Sequence, residues 1–406
     1  MNVFLSRQPI LDVHREVVAY ELLYRGRPEN RQNPDGDANA ATSQILQSAV
    51  LGPAFAHVSR GVPVFVNFPR ELLLANVHEL FPPEAVVIEI LETVHADGAV
   101  IDACRDLKQR GYTIALDDFE ERPDLEPLIE LADIVKVDFV ASTSDRRAEI
   151  ARDYRKRCRL LAEKIESWDD YEQARWLGYE LFQGYYFCEP QMVTSKDMPG
   201  SKLGRLRFVE AVSREDIDFD QLEVIVQADP SLMVRLLRIL NSPLVGAQQP
   251  LGSVRQALVV LGERRLRRWG TLVAMSGLIE EKPRALLNTA LTRAKFSESV
   301  GGEVCDELNG FELFLLGLLS LVDALVDTDR AHALSTLAVA DAIRLPLLGT
   351  GVGRPMQLLQ LVEAYERGEW DRVERLGSEL GTSPVKLSEL YAESLRWADT
   401  VTAEVL

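Results

Sequence analysis

Histidine and cysteine are scarce in this sequence, and positive charge is in deficit. Only four cysteines occur in 406 residues: Cys104, Cys158, Cys188 and Cys305. They lie far apart and form no CxxC pair, which excludes a disulfide framework and a zinc knuckle and implies free thiols in a reducing compartment. The five histidines are too few and too scattered for an imidazole-rich metal site. No apolar run reaches about 18 residues without charge, the length a membrane helix needs. The longest, Phe311 to Val326, is interrupted by Glu312 and Asp323 and reads as a buried helix. The opening MNVFLSRQPILDVHREV lacks a basic start followed by an apolar core, so no signal peptide is expected and the location reads as cytoplasmic. Lys and Arg total 45 against 63 Asp and Glu, a formal net charge of −18. Such a chain repels nucleic acid and anionic membranes as a whole, so a nucleotide ligand would need a local pocket or a metal ion.

The composition is that of an ordinary globular protein, with 47% apolar and 27% charged residues. The length predicts two domains. Strand-like runs in the first half are VVAYELL (17–23), VPVFVNF (62–68), AVVIEIL (85–91), TIALDDF (113–119), DIVKVDF (133–139), RLLAEKI (159–165) and YELFQGYYF (179–187). Helix-like segments lie between them: ATSQILQSAVL, AVIDACRDLKQRG, DRRAEIARDYRKR and WDDYEQARWLG, with Gly111 and Gly178 as stops. This alternation predicts parallel strands with crossover helices, closed as a barrel or open as a sheet. The opening RQPILDVHREVVAYELL predicts a hairpin with Asp12 to Arg15 in its turn. The polar stretch EPQMVTSKDMPGSKLGR (189–205) reads as a boundary, giving domains of 1–195 and 196–406. Beyond it nearly every segment has helical spacing. Asp229-Pro230 opens SLMVRLLRIL, and Ser253 can cap VRQALVVLG, which Gly262 ends.

The chemistry lies in the polar residues placed within or at the C-terminal ends of the strand-like runs. These are Glu21, Asn67, Glu89, Asp117 with Asp118, Lys136, Glu163 and Gln183. In a parallel barrel, strand C-terminal ends converge on the face that carries the active site. One carboxylate at a strand end commonly just bonds loop backbone, but seven such positions in step with the strands point to a shared site. Carboxylates crowded together repel, and burial raises the cost. A hard divalent cation resolves this, and oxygen ligands suit Mg²⁺, Mn²⁺ or Ca²⁺. Paired ions of this kind can activate water and hold the attacking and leaving oxygens of a phosphodiester.

The ordered set resembles the EAL family of cyclic-di-GMP phosphodiesterases over roughly residues 1–195. QPILD…YELLYRG resembles the family's opening, with Glu21 as the first residue of its signature. VFVNFPRELL, VIEILE, LDDF, VKVD, AEKIES and FQGYYF resemble the later motifs in order. The resemblance implies a TIM-like α/β barrel that binds Mg or Mn. It implies Glu21, Asn67, Glu89, Asp117 and Asp118 as metal ligands, and Glu163 and Lys136 as catalytic groups. Gln8, Arg25 and Gln183 would contact cyclic di-GMP, and Glu92 would anchor a loop. The sequence departs from the family after Phe119, where EERPDLEPL replaces a glycine-rich loop. Pro123 stiffens that stretch, and Glu120, Glu121 and Asp124 oppose a dianionic ligand. Lys164 stands where the family has glycine.

QADPSLMVRLLRILNSPLVG followed by PLGSVRQALVVLGERRLRRW resembles the all-α HDOD domain, over about 197–395. That domain shares the fold of the HD phosphohydrolases without their metal site. Here LLSLVD (318–323) carries no histidine, and only His332 lies beyond residue 195. The resemblance implies a non-catalytic interaction module that binds a protein partner, and EAL-like barrels imply a homodimer. Arg264, Arg265, Arg267 and Arg268, like RDYRKRCR, read as solvated faces and not as nucleic-acid sites. The tryptophans at 269, 370 and 397 read as core anchors. Two functions follow. One is a signalling protein whose divergent barrel binds a nucleotide or metal, or has become a pure scaffold, and whose helical domain passes the signal to a partner. The other is an active Mg- or Mn-dependent phosphodiesterase.

Overall fold

The computed structural model describes residues 3–26, 59, 61–119, 125–189, 200–214, 216–228, 254–263, 265–267, 270–271, 282–335 and 339–405. Outside these residues lie the expected helix ATSQILQSAVL, residues 120–124 of the EERPDLEPL segment, and Asp229-Pro230 with SLMVRLLRIL. Ser253, Arg264, Arg268, Trp269 and the side chain of Arg25 lie outside them too.

Eight strands close into a barrel in chain order. They are β1 (Val3–Asp12), β2 (Val17–Gly26), β3 (Val64–Phe68), β4 (Val86–Ile90), β5 (Thr113–Leu116), β6 (Ile134–Asp138), β7 (Arg159–Ile165) and β8 (Leu181–Gly184). β1 runs antiparallel to both β2 and β8, and the other neighbours are parallel. The hairpin turn has a local cause. The Asp12 carboxylate accepts from the His14 and Glu16 amides at 2.8 and 3.0 Å, and Arg15 takes a left-handed φ of 66°. Crossover helices begin at side-chain caps. Asp97 accepts from the Val100 amide ahead of Gly98–Gln109, Thr143 from Arg146 ahead of Ser144–Tyr154, and Ser167 from Asp170 ahead of Trp168–Leu177. Gly178 ends the last of these at φ 95°.

The barrel interior is filled in layers. One layer contains Ile10, Ala19, Phe65, Val87, Ala115, Ile134, Leu161 and Leu181, one residue per strand and all buried. Side chains two residues apart share a face of a strand. Two residues toward the C-terminal mouth, each parallel strand therefore carries its next inward side chain: Glu21, Asn67, Glu89, Asp117, Lys136, Glu163 and Gln183. On antiparallel β1 the same level is reached two residues earlier, at Gln8. The register agrees, pairing Gln8 with Glu21 and Asn67 with Glu89. β7 bulges after Ala162, with Lys164 at φ 55°, and its Ile165 pairs with Gly184 of β8.

The described residues of the second half are helical. Arg284–Val304 packs against Gly310–Leu319, where Asn309 and Glu312 form a capping box. Gly317 permits that approach, since a Cβ there would lie 2.6 Å from the Ser297 hydroxyl and from the Arg293 carbonyl carbon. The apolar run after Phe311 divides at Ser320 into Gly310–Leu319 and Val322–Val326. The Ser320 hydroxyl donates to the Gly317 carbonyl at 2.7 Å and accepts from Arg293 at 3.0 Å, which closes the first helix. Of the arginine cluster, Arg265 is exposed, and half-buried Arg267 donates to the Val212 carbonyl at 2.8 Å. Trp370 is buried against Tyr365, and Trp397 meets Phe314 edge-on.

The chain divides into two compact units. One contains Met1–Glu189 and Glu363–Arg396, the other Pro190–Val362 and Trp397–Leu406. The sequence alone assigns Glu363–Arg396 to the helical half, yet these residues cluster with the barrel. Among the described residues, no helix is long and apolar enough to cross a membrane.

Candidate functional site

The polar layer is built around one ammonium. Lys136 is 1% exposed on β6, where a strand apolar on both sides would otherwise run uninterrupted. Its Nζ bonds Glu89 and lies 2.8 Å from Asp117, 3.0 Å from Glu163 and 3.5 Å from Glu21. Burial alone would lower its pKa, but the four surrounding carboxylates outweigh burial and hold it well above the ordinary lysine value. One ammonium does not balance four carboxylates. Burial accordingly pushes Glu89 well up, against Lys136 and with help from Glu21 and Asp117. Burial also raises Glu163 to about 7, opposed by Lys136 and reinforced by Asp117.

The amides complete the layer. Gln183 donates to the Glu21 carboxylate and to Gln8 Oε1, the latter at 3.0 Å. Gln8 Nε2 donates to the Tyr185 hydroxyl at 3.1 Å. Two buried oxygens, Glu89 Oε2 and Gln183 Oε1, have no hydrogen-bond partner. Leaving such atoms dry is costly, and a hard cation is what oxygen donors of this kind accept. The residues present therefore fit a divalent ion.

A second group of acids lies at the rim. Carboxylate oxygens of Glu92, Asp117 and Asp118 fall within 4.8 Å of one another, as do those of Asp118, Asp138 and Glu163. Lys164 enters the latter group, with its Nζ 2.6 Å from Asp138 and 3.3 Å from both Asp118 and Glu163. Two hollows open here. One of about 670 Å³ is bounded by Gln8, Glu21, Lys164, Tyr185 and Arg367, and one of about 610 Å³ by Glu92, Phe119, Leu128 and Arg146. Asp117, Asp118 and Asp138 line both.

The structure thus brings together Gln8, Glu21, Asn67, Glu89, Asp117, Lys136, Glu163 and Gln183 in one layer, with Asp118 and exposed Glu92 at the rim. Sequence reasoning missed Asp138. Its signal was present, since it follows Lys136 by two residues and pairs in register with Glu163. It also missed Tyr185, Arg367 and Glu369, and the last two carry no local signal at all.

The raised Glu163 gives a pH dependence of definite sign. An unfolded glutamate titrates near 4.5 and folded Glu163 near 7. Between those values the folded protein holds a proton that the unfolded chain has released. Its contribution to stability is therefore largest below about 4.5 and falls as pH rises toward 7. In chelated protein, the unfolding midpoint should fall more steeply over this window than in Glu163→Gln. Equal slopes would rule out this titration.

A family description for the EAL domain matches residues 2–190, and one for the HDOD domain matches residues 204–338. The cyclic di-GMP phosphodiesterase CdgJ of Vibrio cholerae is 32% identical over 409 residues, covering 98% of this chain and 93% of that protein. The uncharacterized protein YuxH of Bacillus subtilis is 32% identical over 408 residues, covering 98% of each. The crystal structure of Bacillus subtilis YkuI, a protein with an EAL domain in complex with cyclic di-GMP and calcium, aligns with a TM-score of 0.39. It is 21% identical and covers 64% of this chain and 73% of that one.

Proposed function

Because this chain belongs to the family of proteins that join an EAL domain to an HDOD domain, we propose that it is a cyclic-di-GMP signalling protein. Its barrel binds the dinucleotide with a divalent cation and hydrolyses one phosphodiester. The supporting observation is the complete polar layer, with buried Glu89 Oε2 and Gln183 Oε1 lacking partners. Glu21, Asn67, Glu89, Asp117 and Asp118 would hold Mg²⁺ or Mn²⁺, which supplies charge neutralisation and a water of lowered pKa. Glu163, with its raised pKa, is positioned to take a proton from the attacking water. Lys136 keeps the carboxylates clustered without letting them repel one another apart. In the reaction a water oxygen bonds to phosphorus as the bond to the ribose oxygen breaks, giving a linear dinucleotide. Gln8, Arg25 and Gln183 contact the ligand, and Glu92 restrains the rim. The helical half serves as a non-catalytic module for a protein partner, and the chain pairs as a homodimer.

A second reading, a receptor without turnover, is favoured by Lys164, whose ammonium lies among Asp118, Asp138 and Glu163 where a second cation would be held. Hydrolysis of cyclic di-GMP by the full chain with Mg²⁺ or Mn²⁺ separates the two. Turnover should appear and should fall at least about 100-fold in Glu21→Ala. Tight binding with no turnover would leave the receptor, and neither binding nor turnover would remove both readings.

A further inference from the structure

The larger hollow has a wall that does not come from the barrel strands or their loops. Glu366 ends the helix Arg354–Glu366, and Arg367, Gly368 and Glu369 turn the chain into the helix Trp370–Leu380. Arg367 and Glu369 line the hollow beside Gln8, Glu21 and Tyr185. The turn is fixed there. The Tyr185 hydroxyl donates to the Glu366 carbonyl at 3.0 Å, and the Ser6 hydroxyl donates to the same oxygen at 3.2 Å. An unbroken hydrogen-bonded path thus runs from Glu21 through Gln183, Gln8 and Tyr185 to the backbone of this turn. Gly368 holds φ 69°, and a Cβ at that position would press to 3.2 Å from Leu23. Buried Tyr365, Trp370 and Tyr391 pack around the turn's base.

The charges of the lining give this wall its purpose. The hollow is rich in acids, and its lining has three cations among the described residues: Lys136, Lys164 and Arg367. Lys136 is consumed by four carboxylates and Lys164 by three. Arg367 is held more loosely. Its ion pair with Glu369 is 4.0 Å long, its side chain is 50% exposed, and its guanidinium lies 5.4 Å from the Tyr185 ring centre. A cyclic dinucleotide carries two phosphodiesters on opposite sides of its ring. With one of them at the carboxylate layer, a cation on the wall would favour the other. A planar fork of N–H donors suits a phosphate.

We propose that Arg367, delivered by the turn Glu366–Glu369, is the phosphate-binding residue for the non-reacting phosphodiester of the ligand. This rests on the reading of the barrel as a cyclic-di-GMP site. The test is calorimetric titration of the full chain with cyclic di-GMP in Ca²⁺, alongside Mn²⁺ binding followed by electron paramagnetic resonance. Arg367→Ala should weaken cyclic di-GMP by about 10–100-fold, the range for a charge-assisted hydrogen bond. It should leave Mn²⁺ affinity and the unfolding midpoint as in the native protein, and Arg367→Lys should recover part of the loss. A native protein that binds cyclic di-GMP with Arg367→Ala binding equally well would overturn this proposal alone. An equal loss in Arg367→Ala and Arg367→Lys accompanied by weakened Mn²⁺ would overturn it in favour of a structural role. A native protein that does not bind cyclic di-GMP would overturn it together with the reading beneath it.

Discussion

Lys136→Met is expected to cost about 3–5 kcal/mol of stability in metal-free protein, the usual penalty for removing one partner of a buried ion cluster. The size follows from what is left behind. Methionine fills much of the volume, so little of the loss is packing. Glu21, Glu89 and Glu163 would remain buried beside half-buried Asp117, with only Lys164 at the rim, 3.3 Å from Glu163, to offset their charge. They would have to take up protons or spread apart, and spreading opens the barrel. Two dependences identify the cause. Lowering the pH should recover stability, because protonated carboxyls no longer repel. Mn²⁺ should recover it at neutral pH, because a divalent ion supplies the missing positive charge. A Lys136→Met protein as stable as the native one at neutral pH in chelator would show that the carboxylates do not need the ammonium.

Gly184→Ala is expected to cost at least as much, with the folded barrel lost or destabilised by at least about 3 kcal/mol through overpacking and strained backbone. Gly184 holds φ 147°, a conformation L side chains rarely adopt. A Cβ there would overlap the backbone of Ile165, including its carbonyl carbon at 2.7 Å. That backbone cannot retreat, because it is the far side of the β7 bulge at Lys164 and is paired to Gly184 itself. Relief would disturb Gln183, which adjoins Gly184, and Glu163, which precedes the bulged Lys164. Thermal unfolding of the variant decides the matter. A native-like midpoint would mean that the β7–β8 seam is far more compliant than its geometry implies.

The polar layer was legible in the sequence because strands alternate with period two. A Lys136 inside DIVKVDF, or a Glu89 inside AVVIEIL, is an anomaly that periodicity exposes. The closure of the barrel was less legible, since strand–helix alternation alone allows an open sheet. Asp138 escaped notice because one polar residue per strand was already accounted for by Lys136. Arg367 was beyond reach for a different reason. It sits in an ordinary polar helix–helix turn, and only tertiary packing over some 180 residues of chain sets it against Tyr185. The division of the long apolar run at Ser320 was also invisible, because it depends on a hydrogen bond from Arg293 on another helix.

The order of the chain gives this arrangement a temporal side. The first compact unit is begun by Met1–Glu189 and finished by Glu363–Arg396, with Pro190–Val362 between them in sequence. Proteins are synthesised from the N-terminus at about 5–20 residues per second, so roughly 10–30 s separate the last strand from the turn that walls the site. A ribosome therefore releases the carboxylate layer well before its Arg367 wall. During that interval the nascent barrel holds its acids without the turn that faces them. A chain truncated by premature termination anywhere in that stretch would carry the acids but not Arg367.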